Sequence, residues 1–241
     1  MMFPYDAKLI TTAQTLPVSI SEVIGRLQEI DALCIDGDGL KWFNRLYLEV
    51  TQAVQDRVAG GGFKNGAWLA ELDIHFADLY LSALVAGLQN ATAPGCWRAM
   101  LSVRNDTRIA RIQFALAGIN AHINHDLPEA IVATCRTTGT VPSHDSVEYA
   151  DYTAVNTILD PLVEQAKMML HFRLLGDPLP LVSHLEDTIA AWGLSTAREK
   201  AWNSAEVLWH LQATPALAAD FIDSLDGLTT VAGKALLVPA P

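Results

Sequence analysis

Along most of this chain apolar residues return every three or four positions, the spacing of helices that bury one face, and no sustained alternation predicts a sheet. The pattern predicts helices over 19–32, 39–58, 66–90, 95–103, 107–125, 127–137, 146–172, 181–192 and 196–212. Three capping boxes support their starts: Ser19 with Glu22, Ser183 with Glu186, and Thr196 with Glu199. In each, the hydroxyl satisfies a free amide and the carboxylate reaches back. Turn-forming residues gather at Asp36-Gly-Asp-Gly, Gly60-Gly-Gly, Thr92-Ala-Pro-Gly, 137–146 and Gly176-Asp-Pro-Leu-Pro. The expectation is an all-α, single-domain multi-helix bundle over 1–241, about eight or nine helices, with an N-terminal arm at 1–18 and an irregular C-terminal arm at 225–241.

One predicted helix breaks its own pattern. Within Ile109–Pro128 the residues Asn120, His122, Asn124, His125 and Asp126 crowd into an otherwise apolar repeat. Burying such groups costs about 1 to 3 kcal/mol each unless they are hydrogen-bonded, so they must be solvated, paired or used. A helical wheel puts Ile109, Ile112, Leu116, Ile119 and Ile123 on one stripe. Arg111, Phe114, Ala115, Gly118, His122 and His125 share a second face, and Gln113, Asn120 and Asn124 flank the stripe. Gly118, one turn before His122, leaves room for a substrate or a neighbouring helix. His122 with His125, and His122 with Asp126, have spacings at which helical side chains meet.

The helix over 66–90 supplies a second candidate. Leu69, Leu72, Phe76, Leu79, Tyr80 and Ala83 form its apolar face, with Glu71, His75, Asp78 and Ser82 opposite and expected in water. Asp73 falls inside the apolar band, where a carboxylate needs a partner or must keep its proton. That combination marks a functional candidate.

Composition narrows the classes. A hydrophobic fraction of 51% against 18% charged residues implies a large interior, an oligomer interface, or both. The net charge of −11 and the absence of a basic stripe disfavour nucleic acid. No secretory signal and no membrane span are read, so a cytoplasmic protein without a membrane partner is expected. Cys34, Cys96 and Cys135 are odd in number and lack a C-x-x-C pair, which predicts buried free thiols. The turn at Asp36 and Asp38 fails as a calcium loop because Lys41 and Tyr47 stand where glycine and glutamate are required, and Asp38 is read as an N-cap. His171, His184 and His210 sit singly on helices, and His144 lies in a loop. Nucleophile-elbow, Walker, dinucleotide and zincin motifs are missing.

Three segments carry a resemblance: Leu72-Asp-Ile-His-Phe-Ala-Asp-Leu-Tyr80, then Phe114 through Leu127 with its Asn-Ala-His-Ile-Asn-x-Asp-Leu motif, then Ala197-Arg-Glu-Lys-Ala-Trp202. Together they resemble an uncharacterised bacterial family of unknown function. The resemblance implies a mostly helical single domain and is associated with specialised metabolism; it transfers no activity.

Three functions follow as expectations. The first is a cofactor-free enzyme acting on a mainly apolar small molecule by acid-base chemistry: dehydration, cyclisation or a related lyase step. His122 would be the base or acid, Asp73, Asp126 and His125 its partners, and Asn120, Asn124, Arg111, Tyr80 and Phe114 the substrate contacts. The second is a zinc or iron hydrolase or oxygenase with His122, His125, Asp126 and Asp73 as ligands. The third is a non-catalytic binding or scaffold protein in which 120–126 is a hydrogen-bond knot.

Overall fold

A computed structural model describes residues 3–161 and 193–239. Every regular element among these residues is a helix, with no strand among them. In chain order they form α1 (Asp6–Gln14), α2 (Ile20–Leu33), α3 (Leu40–Ala59), α4 (Gly66–Leu88), α5 (Gly95–Leu101), α6 (Arg111–Ala121), a π-helical turn (His122–Asp126), α7 (Leu127–Thr138), α8 (Val147–Ala154), α9 (Leu194–Leu211) and α10 (Pro215–Leu236). No helix among them is long and apolar enough to cross a membrane.

Local chemistry sets several boundaries. The Ser19 hydroxyl accepts the Glu22 amide at 3.2 Å while Glu22 reaches back to the Val18 amide, opening α2 as expected. Asn65 caps α4 through the Trp68 amide, and Ser146 caps α8 through Tyr149. Gly139, at φ +69°, closes α7 in the left-handed conformation that glycine adopts without strain. The N-cap of α3 is Gly39 and not Asp38, the residue expected from the sequence, although the Asp38 carboxylate accepts the Leu40 amide beside it. Asp38 is also fully buried and paired with Arg104, which reaches Asp6 of α1 as well.

The rod formed by α6, the π-turn and α7 runs through the centre. Every residue from Ile112 to Ala121 is buried, as in a helix surrounded by neighbours. Helices α3 and α10 pack on α6, and α4 and α9 pack on α7. Phe43 of α3 lies against Gly118 so closely that a Cβ there would collide with its ring. The glycine therefore admits a helix, not a substrate.

The sequence pattern predicts a break before Pro128, yet the chain continues helical across it. Pro128 has no amide to donate, and its ring crowds the carbonyl one turn earlier. The helix absorbs this by widening: the Leu127 amide bonds the His122 carbonyl, five residues back. His122, Asn124, His125 and Asp126 lie on this widened turn, and Asn120 stands just before it on α6.

Other expectations are corrected. The arm at 1–18 contains α1, whose Leu9 and Ala13 are buried and whose Asp6 joins the Arg104 cluster. The stretch at 225–241, expected to be irregular, is helical up to Leu236. Its threonines, its glycines and Asp226 are weak helix formers, so tertiary contacts with α5 and α6 decide its state. The box at Thr196 is not used: α9 opens at Leu194 after Gly193, and Glu199 accepts the Tyr149 hydroxyl at 2.7 Å instead. The helix expected over 146–172 is interrupted at Val155 and resumes at 156–161. The remainder of that helix, the one at 181–192, the Ser183 box, the Gly176 break, His171 and His184 lie outside the described residues.

Candidate functional site

Helices α3 and α4, the π-turn, the 155–159 segment and α9 surround a cavity of about 100 Å³. Its lining is apolar and aromatic, with Phe43, Tyr47, Leu72, Phe76, Ile119, Ile123, Val155 and Leu159 among the contributors. Three polar residues join them: Asp73, His122 and Arg198. The two candidates picked from separate sequence patterns, Asp73 on α4 and His122 on the central rod, thus line one space.

The His122 ring is held on all sides. Phe76 stacks on it with ring centroids 3.4 Å apart and planes within 6°, and Tyr47 meets it edge-on at 4.6 Å. Nδ1 lies 2.9 Å from the Asp126 carboxylate, and Nε2 has no hydrogen-bond partner among the described residues. Burial holds the His122 pKa below its ordinary value of 6.5, outweighing the attraction of Asp126. A neutral ring bonded to a carboxylate carries its proton on Nδ1, so Nε2 presents a basic lone pair.

Asp126 is the buried hub behind this ring. It accepts from His122, from His125 Nδ1 at 2.8 Å and from the Trp97 indole at 3.0 Å. Burial alone would raise its pKa, but the bonds from the two histidines outweigh that effect and lower it. His125 shows the converse balance. Burial opposes its charged form, while Asp126, Glu129 and Asp226 favour it and raise its pKa.

Asp73 has no such support. Its Oδ2 is buried without a partner among the described residues, and burial pushes the carboxyl up from 3.8 to about 7. At neutral pH the acid and base forms are both populated. Near it, the Tyr47 hydroxyl is pushed well above its ordinary pKa by burial and by the charges of Asp73 and Asp126.

Arg198 completes the polar set. Its Nε donates to Asn156 and its Nη2 to the Tyr152 carbonyl, both at 2.8 Å, and the guanidinium lies 4.1 Å over the Tyr152 ring. No carboxylate pairs with it among the described residues, and burial lowers its pKa.

The remaining candidates stand elsewhere. Asn120 donates to the Thr229 carbonyl of α10 and accepts from Asn124, so this pair forms an interhelical tie away from the cavity. Arg111 lies over Trp42 near Asp36, and Phe114 fills the space beside Gly39. Tyr80 is buried behind the site, its hydroxyl on Asn44. His125 and Asp126 back the cavity without lining it. In the metal reading, His122 and His125 both turn Nδ1 to Asp126, whose two oxygens are thereby occupied. His75, expected in water, contacts Glu71 at 3.2 Å and Thr137 at 3.1 Å. All three cysteines are free and buried, as expected.

Sequence reasoning passed over Phe43, Tyr47, Trp97 and Arg198. The aromatics look like ordinary core residues in a helical repeat. Arg198 carries a signal: it stands one turn before Trp202, so it shares a face with a fully buried indole.

No curated protein and no solved structure matches this chain. One family does match, described as a family of unknown function (DUF5995), over residues 20–239, and the chain belongs to that family.

Proposed function

We propose that this protein is an enzyme that moves protons on a small, mainly apolar molecule, in a dehydration, cyclisation or related lyase step. One observation carries the reading: the unpartnered Nε2 of His122 and Oδ2 of Asp73 belong to side chains that line the same apolar cavity. Orphaned polar atoms of this kind cost stability, and an apolar pocket with a few polar groups is the common form of a small-molecule site.

The roles follow from the protonation states. Neutral His122 takes a proton from substrate carbon or oxygen through Nε2, and Asp126 stabilises the imidazolium that results. Asp73, protonated for part of the time at neutral pH, gives its proton to the departing hydroxyl, which leaves as water. Arg198 offers a cation to a carboxylate or carbonyl oxygen of the substrate. At about 100 Å³ the space is smaller than the roughly 150 Å³ cavity that admits benzene, so it holds a short-chain substrate or only part of a ring.

The test uses short-chain and monocyclic 3-hydroxy acids and ketones in heavy water, with NMR following loss of water and deuterium entry beside the carbonyl. At least one compound that raises the melting temperature is expected to react. His122→Gln and Asp73→Asn should slow it by roughly 100-fold or more, the usual scale of general acid-base catalysis. A stabilising compound that never reacts, or variants as fast as the parent, would overturn the reading.

A further inference from the structure

We infer that Cys96, His125 and Asp226 form a second site, outside the cavity, for a divalent transition-metal cation of the zinc type. Three elements deliver the residues: Cys96 from α5, His125 from the π-turn and Asp226 from α10. The Cys96 sulfur, one ring nitrogen of His125 and one carboxylate oxygen of Asp226 all lie within 4.8 Å of one another. Cys96 is 2% exposed and His125 5%. Among the described residues this is the group of three such donors that comes together.

The donor chemistry is specific. Thiolate, imidazole and carboxylate are the ligands zinc takes, with bonds of about 2.0 to 2.3 Å in a tetrahedron. Donors in such a tetrahedron stand roughly 3.3 to 3.8 Å apart, so closure needs a contraction of about 1 Å, within reach of side-chain rotation.

His125 supplies the independent sign. Its Nδ1 is committed to Asp126 at 2.8 Å, which leaves Nε2 as the binding atom. The nearest oxygen paired with Nε2, on Glu129 one turn along, is 3.8 Å away and too far for a hydrogen bond. A buried imidazole thus holds one nitrogen on a carboxylate, while the other makes no hydrogen bond among the described residues. That is how metal-bound histidines are oriented, with a carboxylate behind the ring. Glu129 lies near this ring but outside the group of three donors.

Each residue also has a plainer role. Asp226 accepts the Gly95 and Cys96 amides at 2.7 and 2.9 Å and so holds the start of α5. Cys96 fills core space. Neither role explains why a buried imidazole from a third element joins the same group while its Nε2 makes no hydrogen bond among the described residues. With three protein ligands the site keeps one tetrahedral position for water. It would pin α5 and α10 to the π-turn and fix Asp126, which orients His122. None of the proposed ligands lines the cavity, so this site and the catalytic reading stand or fall separately.

The test starts from untagged protein stripped with a chelator and titrated with zinc and with cobalt(II). Stoichiometric binding is expected, with a thiolate-to-cobalt charge-transfer band and a rise in melting temperature on adding zinc. X-ray absorption of the zinc form should contain one sulfur near about 2.3 Å among lighter neighbours at about 2.0 to 2.2 Å. Cys96→Ser should abolish the charge-transfer band and weaken zinc binding at least tenfold, while His122→Gln leaves binding unchanged. Lack of stoichiometric binding, a shell without sulfur, or dependence on His122 would overturn the proposal. If Cys96→Ser does not fold, the sulfur in the absorption spectrum of the parent protein decides the question.

Discussion

Replacing Asp73 with asparagine removes a charge that the fold resists. In the folded chain burial raises the Asp73 carboxyl from 3.8 to about 7, so the native state holds its proton more tightly than the unfolded chain does. The sign is fixed by linkage. The native state is most favoured at low pH, where both forms are protonated, and that advantage is lost as pH rises through the folded value near 7. At about 1.4 kcal/mol per pKa step the full loss is about 4 kcal/mol, of which about 3 kcal/mol falls between roughly pH 5 and pH 8. Domains of this kind are stable by about 5 to 15 kcal/mol, so this is a heavy load for a structural residue. Asp73→Asn keeps the shape and cannot ionise. Urea denaturation at the two pH values should therefore find the variant gaining about 3 kcal/mol on the parent as pH rises. A stability difference that does not change with pH would refute a buried, unpaired carboxyl at this position.

Other consequences follow from the same geometry. Gly118→Ala drives a methyl group into the Phe43 ring and should cost about 1 to 3 kcal/mol in denaturation, with α3 displaced from the rod. Asp126→Asn leaves His125 without its buried counter-charge and should cost about 3 to 5 kcal/mol at neutral pH, read by chemical denaturation. Asn120→Ala breaks the tie to Thr229, with an expected loss of about 1 to 3 kcal/mol in melting or urea unfolding and no change in small-molecule binding at the cavity. If that variant lost binding instead, the asparagines would belong to the site.

Periodicity carried the sequence a long way at particular residues. Asp73 stood out because a carboxylate interrupted an apolar band, and Leu69, Leu72 and Phe76 of that band line the cavity with it. His122 stood out by its neighbours, and the ring does meet Asp126 one turn on. A wheel, however, assigns faces and not partners. On a helix buried on every side, Asn120 and Phe114 meet different neighbours from His122, so substrate roles for them did not follow. The π-turn adds to this, because a turn closed five residues back shifts the side chains relative to an α-helical wheel. Helix α10 was missed for a different reason: Thr229, Thr230 and Gly233 disfavour helix locally, and packing on α5 and α6 overrides them. Asp226 was hidden with it, and with Asp226 the grouping around Cys96.

The most direct test of the central claim is the protonation state of His122, followed by long-range proton–nitrogen NMR across the acid to neutral range. The account predicts a neutral ring with its proton on Nδ1, persisting below the ordinary histidine pKa of 6.5, and an Nε2 signal that shifts when a small apolar ligand fills the cavity. A ring that is protonated at neutral pH, or that carries its proton on Nε2, would contradict it.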